Sequence, residues 1–304
     1  SSLVSRLLRD LMARHIVLLL LLALFWSGSF MAIKIGVGSI PPLSLTAGRV
    51  LLAAMVLAGI AYLQGVRMPM EAKFWGYCFV IGILGNGLPF TLINWGEEKV
   101  DSSQAAILMA VMPLATIVLA HFFSVRDRIT IAKSSGVFFG FSGVIILVGP
   151  EAMKGLVGDF WRQLAVFGGA MCYALTVIII RKMPSFPLMA RSTGVLIASA
   201  LVMVPVALVV DASWNIEPSA EGLLAMVYLG IFPTALTTVI LFYLVQQRGA
   251  NFVAYANYLI PIFAVLWGAV FLDENLSNQA GVALVVILSG MVIAQIRRFG
   301  WVKQ

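Results

Sequence analysis

The sequence predicts an all-α membrane protein in which ten transmembrane helices form two inverted five-helix repeats around a central cavity. Of its 304 residues, 61% are hydrophobic and only 11% are charged, whereas soluble domains have about 45–50% and about 25%. Apolar runs of membrane-spanning length follow one another with short links, and basic residues concentrate in every second link. A water-soluble fold could not bury so much apolar surface, so we expect a chain that crosses the bilayer repeatedly.

The number of spans follows from helix geometry. An α-helix rises about 1.5 Å per residue, so roughly 20 apolar residues cross about 30 Å of hydrocarbon. Runs of that length lie near residues 16–36, 43–63, 74–95, 103–123, 133–149, 163–180, 192–210, 222–245, 251–272 and 278–296. We assign residues 1–150 to the first repeat and residues 151–304 to the second.

Run one could be read as a secretory signal peptide, because arginines precede it. It is as long as a span and lacks a clear A-x-A cleavage site, so we interpret it as a transmembrane helix. Its Trp26 and Ser29 lie three residues apart on one face. Run two carries Arg49 inside the apolar stretch. This guanidinium could contact an anionic group, or it could extend to the outer headgroups, which is the role that we favour.

Runs three to six continue this pattern. Asn86, Phe90 and Asn94 recur every four residues along one face of run three. In the middle of run four, Pro113 removes a backbone donor and leaves a carbonyl free, which predicts either a hinge or an ordinary kink. In run five, Gly136 and Gly140 share a helical face. In run six, Tyr173 and Thr176 do the same. We interpret the glycines as a packing surface.

Runs eight and nine carry the corresponding residues of the second half. Thr234 and Thr238 lie one turn apart in run eight, and Tyr255 and Tyr258 share a stripe in run nine. Pro261 occupies the middle of run nine, as Pro113 does in run four. Runs seven and ten complete the count with apolar residues. The second half therefore repeats the arrangement of the first.

Polar side chains are costly in hydrocarbon unless they face the interior of a helix bundle or a water-filled cavity. We therefore predict a substrate cavity, with Arg49 as a possible anion contact and two prolines as hinges. Alternatively, the Ser, Thr and Asn side chains bridge helices while the aromatic side chains fill gaps or lie at the interfaces. The predicted lining is Trp26, Ser29, Asn86, Asn94, Trp95, Met109, Tyr173, Thr176, Tyr243, Tyr255, Asn257 and Tyr258, with Pro113 and Pro261 as hinge or gating residues.

The charges predict the orientation of the chain, because Lys and Arg in short links collect on the cytoplasmic side. If the N-terminus is cytoplasmic, one side of the bilayer holds Arg6, Arg9, Arg14, Arg67, Lys73, Arg126, Arg128, Lys133, Arg181, Lys182, Arg191, Arg248, Arg297, Arg298 and Lys303. The other side holds Lys99, Lys154 and Arg162 with the acidic residues Glu97, Glu98, Asp101, Glu151, Asp159, Asp211, Glu217, Glu221, Asp273 and Glu274. An odd number of spans would destroy this pattern, so we predict that both termini are cytoplasmic.

The two halves match without gaps at an offset of 148 residues. This offset aligns Gly82-Ile83 with Gly230-Ile231, Leu88 with Leu236, Trp95 with Tyr243, Ala106 with Ala254, Pro113 with Pro261 and Phe123 with Phe271. Because each half has an odd number of spans, the second half would cross the membrane inverted, as in many secondary transporters. Apolar helices also match one another by composition alone, so the repeat is a hypothesis.

Several motifs resemble one family. Residues 26–34, Pro41-Pro42, Arg49 and Ala53-Ala54 are similar to the opening of the EamA branch of the drug/metabolite transporter superfamily. Residues 169–174 with Arg181-Lys182 resemble its sixth span, and Pro261, residues 271–276, Gly281 and Gly290 resemble its ninth and tenth spans. Two features depart from the family pattern: Arg126-Asp127-Arg128 replaces an acidic residue after span four, and Cys172 replaces a Trp.

Among bacterial members, the chain looks most like YddG-type exporters of aromatic and other amino acids. The resemblance implies a ten-helix transporter of the bacterial inner membrane that exports a small molecule through a central cavity by alternating access. It leaves open an exporter of other metabolites or drugs. We expect the lipid bilayer and a small-molecule substrate as partners, a monomer rather than an oligomer, and no nucleic acid.

Other classes of function lack the residues that they need. The chain has no G-x-S-x-G or H-E-x-x-H motif, which argues against an intramembrane enzyme, and a channel is the remaining alternative. Cys78 and Cys172 lie far apart in apolar runs, so we expect no metal and no cofactor. No acidic residue lies near the middle of a run, and we therefore expect no carboxylate relay for protons or sodium ions.

Overall fold

The computed structural model describes residues 2–123, 130–153, 159–248 and 250–299, and within these ranges the chain forms helices and no strand. Arg126, Asp127, Arg128, Lys154 and Lys303, which the charge and family comparisons use, lie outside the described residues. The helices are α1 (Ser2–Gly36), α2 (Pro42–Leu63), α3 (Ala72–Gly82), α4 (Leu88–Glu97), α5 (Ser102–Met109), α6 (Met112–Phe123), α7 (Ile131–Met153), α8 (Phe160–Lys182), α9 (Leu188–Val210), α10 (Ala220–Gly230), α11 (Thr237–Arg248), α12 (Ala250–Val253), α13 (Ala256–Phe271) and α14 (Asn278–Phe299).

The described part of the chain contains nine helical segments that are long and apolar enough to cross a membrane. They coincide with predicted runs one to eight and with run ten. Run nine is divided into α12 and α13 by a turn at Ala254 and Tyr255, and α13 has only 16 residues. The protein is therefore a multi-pass helical membrane protein, and the ten-helix count stays a prediction.

Two of the spans contain a widened, π-helical turn. These turns cover Ile83–Gly87 between α3 and α4 and Ile231–Leu236 between α10 and α11. Proline explains their positions, because its ring lacks the N–H that would bond the carbonyl four residues earlier. Pro89 follows the first turn and Pro233 lies within the second. The sequence interpretation missed both turns.

A third break interrupts run four. Helix α5 ends at Met109, a turn follows at Ala110 and Val111, and α6 begins immediately before Pro113. The missing N–H of this proline again accounts for the position of the break. Spans three, four, eight and nine therefore each depart from a continuous α-helix.

Helices α7 and α14 pack against each other with little space between their backbones. A Cβ atom added at Gly136 would lie 2.5 Å from the carbonyl oxygen of Gly290, and one added at Gly290 would lie 2.6 Å from that of Gly136. A side chain at either position would force the two backbones apart. The prediction that glycines of run five form a close-packing face is confirmed.

Candidate functional site: a central cavity with a buried arginine

A cavity of about 620 Å³ lies between the helices of the two halves. This volume falls within the range of small-molecule sites, roughly 300–1,000 Å³. The lining comes from helices α1, α2, α3, α4, α5, α6, α8, α9, α11 and α13 and from both π-helical turns. The predicted residues that line it are Trp26, Ser29, Arg49, Asn86, Met109, Pro113, Tyr173, Thr176, Asn257 and Pro261.

Five other predicted residues lie outside the cavity and make contacts elsewhere. Asn94 donates to the Pro42 carbonyl at 3.1 Å and so joins α4 to α2, and the Tyr258 hydroxyl donates to the Met291 carbonyl at 3.0 Å. The remaining three are aromatic: Trp95 contacts the Arg162 guanidinium, Tyr243 packs against His15, and Tyr255 packs against Phe252. These contacts match the alternative in which polar and aromatic side chains connect helices.

Arg49 is buried in the cavity wall, with only 4% of its surface exposed. Its Nε donates a hydrogen bond of 2.8 Å to the Thr234 hydroxyl, and its guanidinium carbon lies 3.7 Å from the centre of the Phe90 ring. The side chain therefore points into the bundle and does not extend to the headgroups. Within the described residues, no hydrogen bond occupies its two terminal nitrogens, which remain available as donors.

The second π-helical turn holds Thr234 in this position. Because Pro233 lacks an N–H, the Leu229 carbonyl loses its usual helical donor, and the Thr234 hydroxyl bonds that carbonyl at 2.7 Å. The same hydroxyl accepts from Arg49. Pro233 thus positions Thr234, the hydrogen-bond partner of Arg49 on α2. No sequence pattern connects Arg49 with Thr234.

Aromatic side chains form part of the cavity wall. The Trp26 indole donates to the Thr237 hydroxyl at 3.2 Å, and that hydroxyl donates to the Pro233 carbonyl at 2.9 Å. Across the cavity wall, the rings of Phe90 and Tyr173 meet edge to face with their centroids 6.4 Å apart. These contacts hold the rings of Trp26, Phe90 and Tyr173 in fixed orientations.

Three residues of the lining precede a proline of the same span by four positions: Gly85 before Pro89, Met109 before Pro113 and Asn257 before Pro261. In each case the proline removes the donor that the carbonyl of the earlier residue would meet in a regular helix. Three residues whose carbonyls lack their regular helical donor therefore line the cavity. The four-residue spacing was present in the sequence, and applying it to every proline could have found Gly85.

The charged side chains in the cavity lining are Arg49 and Arg191, and the described lining contains no acidic side chain. The Nε of Arg191 is buried without a hydrogen-bond partner. Positive charge without compensating carboxylates, in a wall of low polarity, favours the entry of an anionic group.

The two ends of the cavity differ. At one end the lining reaches Ile180, Met183 and Leu188, next to the link between α8 and α9. At the other end it stops at Ile33, Ile93 and Ala106. Residues of four helix ends lie directly beyond this second end, and we refer to them as the polar layer: Lys34, Glu97, Ser102, Ser103 and Glu274.

Hydrogen bonds hold the polar layer together. The Lys34 ammonium donates to the carbonyls of Glu97 at 2.9 Å and Val100 at 2.8 Å. The Glu274 carboxylate accepts from the backbone N–H groups of Ser102 at 2.8 Å and Ser103 at 3.0 Å and from the Ser103 hydroxyl. This layer connects α1, α4, α5 and the residues after α13.

Asp101 lies in the link beside the polar layer. Partial burial, with a further contribution from the Glu274 carboxylate, raises the pKa of Asp101 above its ordinary value. The sequence interpretation grouped Glu97 with the residues of the outer links, whereas the structure places Glu97 as the last residue of α4 with none of its surface exposed.

Comparisons with known proteins agree with this architecture. The model of the EamA-like transporter family matches residues 13–149 and again residues 160–295. The inner membrane transporter YedA of Escherichia coli K12 is 25% identical over 91% of this chain and 89% of its own length. A protein of Streptantibioticus cattleyicolor named "Probable terminal-alkyne amino-acid exporter" is 26% identical over 93% of each chain. A solved crystal structure, 18% identical, superimposes with a TM-score of 0.68 over 95% of this chain and 99% of its own.

Proposed function

Because the chain belongs to the EamA-like transporter family, we propose that it is a secondary transporter that exports amino acids, aromatic ones above all, across the bacterial inner membrane. The observation that carries this proposal is the buried Arg49 in the cavity wall, whose terminal nitrogens are free to bind a carboxylate. A guanidinium binds a carboxylate with two parallel hydrogen bonds, which gives both affinity and orientation. The solute is therefore one that carries a carboxylate.

The rest of the lining suits the other two parts of an amino acid. Carbonyls at the helix breaks, including that of Gly85, offer acceptors for an ammonium group. The rings of Trp26, Phe90 and Tyr173 offer an apolar, aromatic surface for the side chain. The relative from Streptantibioticus cattleyicolor, whose printed name is that of an amino-acid exporter, supports the same class of substrate.

Alternating access is the mechanism that we propose, with two inverted five-helix halves that move about the cavity. Two observations support the repeat. The family model matches the chain twice in succession, and the π-helical turns begin at Ile83 and Ile231, which differ by the same 148 residues that align the halves. A widened turn at equivalent positions gives each half a point at which its helix can bend.

We propose that the end of the cavity near the α8–α9 link faces the cytoplasm and that the polar layer closes the outer end. The link between α8 and α9 includes Arg181 and Lys182 beside it, and positive links lie on the cytoplasmic side. The structure then corresponds to a conformation that loads its solute from the cytoplasm, as export requires.

A second candidate is an exporter of organic anions that lack an amino group. Arg191 favours it, since a second cation in the lining would suit a dicarboxylate. The two candidates differ in whether an ammonium group is needed for transport, so a panel of solutes separates them.

The test is counterflow in proteoliposomes with a panel of amino acids, their decarboxylated amines, monocarboxylates and dicarboxylates. We expect amino acids to exchange and the amines to fail, because the amines lack the group that Arg49 binds. Exchange of carboxylates without an amino group would favour the second candidate. No exchange of any solute in the panel would overturn the proposal.

Substitutions of Arg49 sharpen this test. Hydrogen bonds to charged groups contribute about 1.5–3 kcal/mol, so Arg49→Gln is expected to lower the initial rate of exchange about tenfold or more. Arg49→Lys keeps the charge but loses the planar pair of donors, and should recover only part of the rate. Arg162→Gln is the matched control, because Arg162 contacts Glu98 outside the cavity. Equal losses in Arg49→Gln and Arg162→Gln would contradict a direct role for Arg49.

A further inference from the structure

The polar layer contains two carboxyl groups with different surroundings. Glu274 accepts three hydrogen bonds, from two backbone N–H groups and one hydroxyl. Within the described residues, neither carboxylate oxygen of Glu97 has a hydrogen-bond partner, and both oxygens are fully buried. Only Glu274 therefore has the donors that stabilise an ionised carboxylate.

Burial without donors favours the neutral form of an acid. An ionised carboxylate loses its hydration when it is buried and must regain that stabilisation from hydrogen bonds or opposite charges, whereas a protonated carboxyl loses much less. Glu97 has no donor to replace the lost water. Its environment in this conformation is that of a protonated acid.

The charged groups around Glu97 do not supply the missing donors. From α1, Lys34 attracts a negative charge at Glu97, but its ammonium is bonded to two backbone carbonyls. Arg49 on α2 also attracts a negative charge at Glu97. The Nε of Arg49 is bonded to Thr234, and the Arg49 guanidinium lies over the Phe90 ring. Glu274, which follows α13, repels it.

The remaining neighbours add little. Asp101, in the link that follows α4, carries a further negative charge beside Glu274. From α8, the Arg162 guanidinium is occupied by the carboxylate of Glu98 and the carbonyl of Trp95. Of these groups, Lys34 attracts a charge at Glu97 most strongly, and its ammonium is already bonded to two backbone carbonyls.

The position of Glu97 relates it to the cavity. Ile93 lines the closed end of the cavity, and Glu97 follows it by four residues on the same face of α4. Lys34 likewise follows Ile33, which also lines that end. Glu97 is therefore buried in the layer that separates the cavity from the far side. Any movement that opens this layer would bring water to its carboxyl group.

We propose that the Glu97 carboxyl is a proton-binding site of the transporter, protonated while the polar layer is closed and ionised when the layer opens. A proton from water binds a carboxylate oxygen of Glu97 and allows the layer to close over a neutral group. Loss of that proton to water on the exposed side favours the open layer. This inference rests on the proposed alternating access, and it replaces our expectation that no carboxylate takes part in coupling.

The first test detects the proton directly and needs no transported solute. At neutral pH the carboxyl groups in contact with water are ionised and give no infrared band of a protonated carboxyl. Such a band therefore reports a buried acid if its proton exchanges slowly in deuterated water. We expect this band in the purified wild-type protein, its loss in Glu97→Gln, and its retention in Glu98→Gln, a neighbouring carboxyl outside the layer. A shifted band in Glu97→Asp would confirm the assignment should Glu97→Gln fail to fold. Absence of the band from the wild type, or its persistence in Glu97→Gln, would overturn the proposal.

The second test follows the layer itself. In a protein with Cys78 and Cys172 replaced by alanine, Val100→Cys places a thiol at a position that is 2% exposed in the closed layer. We expect labelling by a membrane-impermeant maleimide to increase several-fold from acidic to alkaline pH, after correction for thiol ionisation with a free thiol. In Glu97→Gln the label should react slowly at every pH, and Glu98→Gln should behave as the wild type. Equal pH dependence in Glu97→Gln and the wild type would overturn the proposal, whether or not a transported solute has been found.

Discussion

At the scale of single residues, the cavity depends on side chains whose partners lie on other helices. Trp26 bonds Thr237, 211 residues away, and Arg49 bonds Thr234, 185 residues away. Both partners belong to the second half of the chain, while Trp26 and Arg49 belong to the first. The hydrogen bonds that orient the cavity wall are therefore bonds between the halves, and they must rearrange if the halves move.

Trp26 should contribute through both its ring and its indole N–H. Trp26→Phe removes the hydrogen bond to Thr237, worth about 1 kcal/mol, but keeps a smaller aromatic ring, and should lower amino-acid exchange several-fold. Trp26→Ala also removes the aromatic surface and should lower it about tenfold or more. Initial rates in proteoliposomes, normalised to reconstituted protein, measure both. Tyr258→Phe is the control, because Tyr258 bonds the Met291 carbonyl away from the cavity. Rates in Trp26→Ala equal to the wild type would remove Trp26 from the site.

At the scale of helices, the breaks determine what the cavity can bind. A continuous helix offers side chains to its neighbours but keeps its carbonyls bonded internally, so it cannot present backbone acceptors to a solute. Four spans depart from this pattern, because Pro89, Pro113, Pro233 and Pro261 each remove the donor of the carbonyl four residues earlier. Prolines that would weaken a soluble helix are thus tolerated here, because they line a cavity.

Pro233→Ala tests the role of the second π-helical turn. Alanine supplies an N–H that can bond the Leu229 carbonyl and displace the Thr234 hydroxyl, which moves the partner of Arg49. We expect exchange to fall several-fold while the melting temperature in detergent stays the same or rises, since alanine favours the helix more than proline does. Pro205→Ala is the matched control, because Pro205 lies within α9 and is exposed on the outer surface of the bundle. A similar loss of exchange in both variants would argue against a specific role for the turn.

The packing of α7 against α14 is expected to support stability rather than transport. Gly290→Leu would force a side chain against the backbone of α7, where a Cβ atom alone would lie 2.6 Å from the Gly136 carbonyl oxygen. Overpacking costs about 1–3 kcal/mol, so the melting temperature of the purified protein should fall by several degrees. Gly281→Ala, whose Cβ would lie 3.8 Å from the nearest atom, is the control. An unchanged melting temperature in Gly290→Leu would show that the two helices can separate freely.

At the scale of the whole molecule, the lining of the cavity ends next to the polar layer on one side and reaches the α8–α9 link on the other, and we propose that the polar layer closes its end. A carrier needs this asymmetry, since a pathway open at both ends would conduct. Large apolar residues such as Leu201 and Val209 are exposed on the outside of the bundle, where lipid would cover them. The described part of the molecule therefore has an apolar exterior in addition to an apolar core, whereas a soluble protein has a polar exterior.

The orientation of the molecule is tested at its two ends. The positively charged links predict that both termini are cytoplasmic, and this orientation requires an even number of spans. Reporters fused to the N-terminus and to the C-terminus should both be active in the cytoplasm. A thiol introduced in the link between α9 and α10, such as Trp214→Cys, should react with a membrane-impermeant reagent in intact cells. Termini on opposite sides of the membrane would contradict the ten-helix count and the inverted repeat together.

The sequence by itself determined that the chain crosses the membrane repeatedly and which residues cross it. These properties are local, because the hydropathy of each run decides where it lies, and nine of the ten predicted runs coincide with helical spans of the described residues within a few residues. Helical spacing also identified much of the cavity, since residues such as Trp26 and Asn86 must find a polar surrounding in hydrocarbon. The spacing could not separate Asn86, which lines the cavity, from Asn94, which bridges two helices.

Only the tertiary structure decided which polar groups meet. Sequence spacing is silent on contacts between residues far apart in the chain, so it could not show that Arg49 faces the cavity. Nor could it separate Glu274, which receives three donors, from Glu97, which receives none. The physical reason is that the charge state and accessibility of a side chain depend on the donors and the water around it, and these come from several helices at once.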